Sequence, residues 1–194
     1  MSLLDIHLLG SPILRQETVP VEGVSDELRR LIDDMFETMY AAKGIGLAGP
    51  QVGHRERLTV VDVDERPLVF INPEIVLREG SVRAEEGCLS IPEIYGEVER
   101  ATHVVIRALD REGAPFELDT ALSPGAADVQ ELLARCVQHE VDHLHGKLFL
   151  DHLSLVKQQA AMRKWRKVRK GERALTRSLE PRRMREPAGR RGAL

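Results

Sequence analysis

The chain reads as a fold of helices and antiparallel strands, on three observations: an apolar stripe at helical spacing near residue 30, β-type segments between residues 58 and 118, and a second helical stripe from residue 129. Before the first helix, Gly10-Ser11-Pro12 and Val19-Pro20-Val21-Glu22-Gly23 are punctuated loop or short extended structure. Ser25 is an N-cap with Asp26 and Glu27 in the first turn, and Leu28, Leu31, Ile32, Met35, Met39 and Tyr40 fall on one face. Leu58 to Val63, Leu68 to Ile71 and Ile75 to Leu77 read as strands separated by Asp64-Glu65-Arg66-Pro67 and by Asn72-Pro73. Glu85 to Pro92 interrupts that pattern, its proline stopping any ladder. His103 to Leu109 alternates and turns at Asp110-Arg111-Glu112-Gly113 into Pro115 to Leu118. Asp119 to Asp128 reads as loop. Val129 to His145 is then a helix, with Val129, Leu132, Leu133, Cys136, Val137 and Leu144 as its apolar stripe and Gly146 at the C′ position. A last helix starts at Ser154, with Leu155, Val156, Ala160, Met162 and Trp165 as its apolar positions.

With 194 residues, 42% hydrophobic and only 4% aromatic, the chain predicts one domain with a core of aliphatic side chains. No run approaches the roughly 18 apolar residues of a membrane span, and Met1 to Gly10 lacks a basic stretch followed by an apolar one, so a cytoplasmic protein without a membrane partner is expected. In such a reducing compartment Cys88 and Cys136 read as ligands or packing residues rather than a disulfide. The net charge of −3 hides an asymmetry: residues 1–162 carry 15 basic and 28 acidic side chains, residues 163–194 carry 13 and 3. A basic tail on an acidic body suits a polyanionic partner, nucleic acid ahead of membrane; a solvated helix end fits the same composition.

The stretch with the sharpest chemistry is Gln138-His139-Glu140-Val141-Asp142-His143-Leu144, a His-Glu-x-x-His pattern on the second helix. Residues four apart share a helix face, so His139 and His143 can offer imidazole nitrogens to one metal ion, while the Glu140 carboxylate can take a proton from a water there. A catalytic metal normally takes three protein ligands. Cys136 lies on the same stripe, but it is seven residues from His143, roughly 10 Å along the axis, too long for one ion. The third ligand therefore arrives from elsewhere. Cys88 is a candidate; a small buried residue in a bend is the other reading. Gly44 to Gly53 holds four glycines and fits either a backbone lying against a ligand or a helix C-cap and turn. It matches neither a phosphate loop nor a dinucleotide fingerprint. Gln51 within it carries a side-chain amide able to donate to a developing oxyanion.

Taken together, Gly44-Ile45-Gly46-Leu47-Ala48-Gly49-Pro50-Gln51, Glu86-Gly87-Cys88-Leu89-Ser90 and Gln138 to Leu144 resemble, in order, the three motifs of the peptide deformylases. The likeness runs from about Leu8 to Ser154. It implies an α+β fold, antiparallel β-sheets packed around a central metal-binding helix, with an N-terminal and a C-terminal helix. It also implies an enzyme that removes the N-formyl group from the initiator methionine of new polypeptides and releases formate. On that resemblance Cys88, His139 and His143 hold Fe2+, for which Ni2+, Co2+ or Zn2+ substitute, with water in the fourth position. Glu140 is the acid and base, and the Gln51 amide and the Leu89 backbone N–H face the oxyanion. Ile45, Leu132, Cys136 and the His139 ring line a methionine-sized pocket, and the substrate backbone pairs beside Gly46 and Gly87.

The resemblance divides the chain into a catalytic part, 1–153, and a C-terminal helix with a basic tail, 154–194, which docks on the ribosome among N-formyl-methionyl nascent peptides. Three departures stand out. Gly49 replaces the usual alanine, no arginine stands near Ile94-Tyr95-Gly96, and the 119–128 connection is long. A His-Glu-x-x-His metalloprotease shares the metal helix, but the cysteine motif counts against it, and an inactive ribosome-bound relative need not keep both Glu140 and Gln51.

Overall fold

The computed structural model describes residues 2–179. Along the chain come β1 (Ile6–His7), α1 (Asp26–Ala41), β2 (Gly46–Ala48), β3 (Leu58–Asp62), β4 (Pro67–Glu79), β5 (Val82–Cys88), β6 (Ile91–Arg100), β7 (His103–Leu109), β8 (Pro115–Asp119), α2 (Ala127–Leu144), α3 (Leu155–Val168) and β9 (Thr176–Arg177). Five strands form one antiparallel sheet in the order β2-β3-β4-β7-β8, β5 pairs with β6, and β1 pairs with β9. The fold is mixed helix and antiparallel sheet, as expected.

Strand alternation divides the core. Val60 and Ile71 pack with Leu28, Ile32, Met35 and Met39 of α1, whereas Val61, Phe70, Val104 and Ile106 pack with Leu133, Ala134, Val137 and Val141 of α2. The five-stranded sheet is therefore covered by a helix on each face. A third cluster joins Ile91, Ile94 and Val98 of β6 to Ala161 and Trp165 of α3. Ten of the eighteen α2 residues are buried, on more than one side of the helix. That burial follows from its place against the sheet on one side and, through side-chain bonds, against the β5–β6 hairpin on the other.

Several sequence expectations need correction. Ser25 does cap α1 by accepting from the Leu28 N–H, but Tyr40 is 41% exposed and donates to Asp62 instead of joining the core. The two short strands expected around Asn72-Pro73 are one strand, β4, with a register shift between Ile71 and Glu74. Asn72 takes a left-handed φ of 52°, and its side chain pairs both the N–H and the carbonyl of Val21, so the break is a bulge rather than an end.

Pro92 does not stop a ladder either. Cys88 pairs with Ile91 but Gly87 with Tyr95, so Pro92, Glu93 and Ile94 loop out of the hairpin where proline's missing donor is not needed. The glycine-rich stretch contains strand β2 and a turn of 3-10 helix, Gly49–Val52, rather than loop alone. At Gly49 a Cβ would lie 2.9 Å from the Glu56 carbonyl oxygen, so glycine there permits a close backbone approach, not simply a looser alanine. In α3 the buried residues are Ala161 and Trp165, while Leu155 and Val156 are each 75% exposed. The tail returns after α3 to form β9, a strand the sequence pattern did not signal. No helix among the described residues is long and apolar enough to cross a membrane.

Candidate metal centre and cleft

Helix α2 carries His139, Glu140 and His143 near its C-terminal end, all at most 9% exposed. The β5–β6 turn brings Cys88 to them: its sulfur is 3.3 Å from His143 Nε2, and one ligand atom from each of Cys88, His139 and His143 lies within 4.8 Å of the others. Cys136 stays outside this set and its thiol points to the Ile45 carbonyl. The three donors converge although two lie one helix turn apart and the third is more than fifty residues away in sequence.

What turns them toward one point is a polar network the sequence motifs did not reveal. Glu86 accepts from His139 Nδ1 at 3.0 Å, which fixes the ring and leaves Nε2 free. Arg100 holds the same carboxylate through two bonds, of 2.9 and 3.1 Å, and donates to Asp142, which also bonds His152. Burial alone would raise the Glu86 carboxyl, but the bonds from His139 and Arg100 hold it down to about 2. Burial likewise opposes charge on His139, and the neighbouring Cys88 sulfur and Glu86 carboxylate overcome it, keeping that pKa above the usual histidine range. On His143 burial wins and lowers the pKa. Glu86 and Asp142 sit inside the quoted motifs; Arg100 carries no local signal.

Glu140 lies beside the ligands, 4% exposed, with its Oε2 lacking a hydrogen-bond partner among the described residues. Burial pushes its pKa up to about 7. Gly46 makes room for it: a Cβ there would stand 2.4 Å from Glu140 Oε1 and 2.8 Å from Cδ. Gly46→Ala is therefore expected to displace the carboxylate and cut kcat by roughly a hundredfold, the scale of a misplacement near 1 Å, with metal content unchanged. Turnover kinetics beside metal analysis check this. Gln51, 1% exposed, accepts from the Ala48 N–H at 2.8 Å and directs its Nε2 to Ser90 Oγ and Cys88 Sγ at 3.3 and 3.5 Å.

Gln51, Glu86, Cys88, His139 and Glu140 line a cleft of about 600 Å³. Ile45, Leu132, Cys136 and the His139 ring all face it, with Ile45 and Leu132 42% and 37% exposed there. Gly46 and Gly87 also line it, on strands β2 and β5, and each of these strands is paired on one side only. Leu89 lines the cleft beside Cys88. The 119–128 connection does not reach it.

The donor set fits a divalent metal with an affinity for soft ligands: one thiol sulfur and two imidazoles converge, and the His139 ring is braced by a carboxylate as metal-bound histidines commonly are. A model of the polypeptide deformylase family matches residues 3–159. The chain is 51% identical over 176 residues to a peptide deformylase of Alkalilimnicola ehrlichii, covering 88% of this chain and 94% of that protein. It is 48% identical over 170 residues to one from Hydrogenovibrio crunogenus, covering 86% and 95%. Among solved structures it resembles a peptide deformylase from Legionella pneumophila, at 45% identity and a TM-score of 0.78 over 87% of this chain and 96% of that one. The Ehrlichia chaffeensis peptide deformylase in complex with actinonin matches with a TM-score of 0.79 at 37% identity, over 88% and 99%. Three separated motifs, the convergent Cys-His-His set and identity near one half across most of the chain lead to one conclusion: this chain belongs to the peptide deformylase family.

Proposed function

We propose that the site removes the N-formyl group from formyl-methionyl peptides with Fe2+ held by Cys88, His139 and His143, Ni2+, Co2+ or Zn2+ being able to replace it. The observation that carries this reading is the approach of those three donors beside a buried Glu140 oxygen that has no partner among the described residues. Bound there, such a metal would act as a Lewis acid and favour ionisation of a water. Glu140 takes the proton of the attacking water and returns it to the leaving amine. The Gln51 amide, already anchored through its Oε1, and the backbone N–H of Leu89 donate to the oxygen that gains charge. Ile45, Leu132, Cys136 and the His139 ring hold the methionine side chain. The free edges of β2 and β5 near Gly46 and Gly87 suit a peptide lying between them as an added strand.

Formate release from a formyl-Met peptide by anaerobically purified, iron-loaded protein tests the reading; a folded, metal-loaded protein that releases none overturns it. In the same assay Gln51→Ala is expected to lower kcat by roughly 10²–10³ with metal retained, the usual consequence of losing one oxyanion donor. Unchanged turnover would remove Gln51 from the mechanism.

The reading places residues 1–153 as the catalytic part, 154–194 as a helix and basic tail, and the protein in the cytoplasm, at the ribosome. On α3, Arg163, Arg166 and Lys167 are exposed and fall on one helical face, away from buried Ala161 and Trp165, and exposed Lys170 follows just past the helix end. Five further arginines, Arg182, Arg183, Arg185, Arg190 and Arg191, lie outside the described residues. Changing these four cations to glutamine is expected to reduce co-sedimentation with ribosomes and to flatten its salt dependence. This is a cleaner test than deleting 164–194, which removes core residue Trp165. Sedimentation equal to that of the unaltered protein would exclude the α3 face as the contact.

A further inference from the structure

We infer that Arg177 is a substrate-binding residue, donating to a main-chain carbonyl of the peptide beyond its formyl-methionine. Arg177 lies past the end of the family-matched stretch, residues 3–159, yet it lines the same cleft as Cys88, Gln51 and Glu140. Its position is built. After α3 the chain turns back, the Leu8 N–H donates to the Leu175 carbonyl at 2.7 Å, Arg177 pairs with Ile6 across β1–β9, and Ser178 Oγ donates to Asp5 at 2.6 Å. The Leu9 N–H in turn donates to the Ser90 carbonyl at 2.9 Å, tying this pair to the turn after Cys88.

Arg177 is half-buried there, and its Nε is buried without a hydrogen-bond partner among the described residues. No carboxylate of those residues lies within 4.0 Å of its guanidinium. A planar donor fork held against the wall of a cleft, with a donor unsatisfied, calls for an oxygen acceptor from whatever fills the cleft.

Peptide carbonyl is favoured over carboxylate by the charges around it. Lys43, Arg135 and Arg177 line the cleft, but so do Glu85, Glu86, Glu93 and Glu140, which oppose an acidic side chain while leaving a neutral carbonyl unaffected. Such a contact is made by every peptide long enough to reach it, irrespective of sequence.

The inference rests on the deformylase reading, which hydrolysis of formyl-methionine amide by the unaltered protein tests independently. Arg177→Ala is expected to raise KM for a neutral formyl-Met tripeptide about tenfold, the loss of one charge-assisted hydrogen bond. The KM for formyl-methionine amide, kcat for both and the metal content should stay as they are. Arg177→Lys, which keeps a cation and the apolar stem on β9, should fall between the two. Equal KM changes for the long and short substrates, or none with either, overturn the inference; so does a loss confined to tripeptides with an acidic residue after methionine. Should the alanine variant lose its fold, Arg177→Lys against the same two substrates carries the test, and an unchanged KM ratio there overturns the proposal.

Discussion

Glu140→Gln is expected to lower kcat for formyl-peptide hydrolysis by roughly two to four orders of magnitude, the scale of a lost general base, while metal content and fold are kept. The separation is possible because Glu140 is not one of the three converging donors, and glutamine fills the same volume against Gly46. A carboxylate that is 4% exposed and has an oxygen unpartnered among the described residues is costly to the fold, so the neutral amide should leave thermal stability unchanged or raise it slightly. A residue that only braces the fold would give the reverse pattern, a lower melting temperature with activity retained per folded molecule. Formate-release kinetics, metal analysis and thermal unfolding on one preparation distinguish the two, and a kcat within threefold of the unaltered protein would exclude Glu140 as the proton carrier.

The parts of the molecule legible in the sequence are those whose cause is local. The α1 stripe and its Ser25 cap are set by residues within a few positions of each other, as is the one-turn spacing of His139 and His143. Misreadings came where distant backbone supplied what local chemistry lacked. Asn72-Pro73 looks like a strand end, yet the paired bonds to Val21 carry β4 through it. Pro92 looks like a ladder stop, yet it falls in a stretch looped out of register, where no donor is required. Leu155 and Val156 fit a helical stripe, but the apolar face that α3 packs against β6 carries Ala161 and Trp165 instead.

The site divides along the same line. Motif spacing put His139 and His143 on one helix face, and the convergence of Cys88 with them needed the fold. Glu86, Arg100 and Asp142 were not legible as a unit, because an arginine at the end of β6 has no signature marking it as the partner of one carboxylate on β5 and another on α2. Arg177 is the extreme case, brought to the cleft by a two-residue strand that no periodicity could announce.

Glu86→Ala should therefore do more damage than its distance from the reaction suggests, and of two separable kinds. Arg100 is 6% exposed and would lose its bidentate partner, and breaking one side of a buried ion pair typically costs about 3–5 kcal/mol of stability. His139 would lose the acceptor that holds its ring, and loss of such a brace typically weakens metal binding by about 10- to 100-fold. A second change, Arg100→Met, distinguishes the two effects. In the double variant the buried charge without its main partner is gone, so part of the stability should return. Metal affinity should not, because no other carboxylate reaches His139 Nδ1 among the described residues. Chemical denaturation followed with and without metal, together with metal titration against a chelator, measures both quantities. Recovery of metal affinity along with stability would mean that Glu86 acts on the metal site only through the fold, and that His139 keeps its orientation without it.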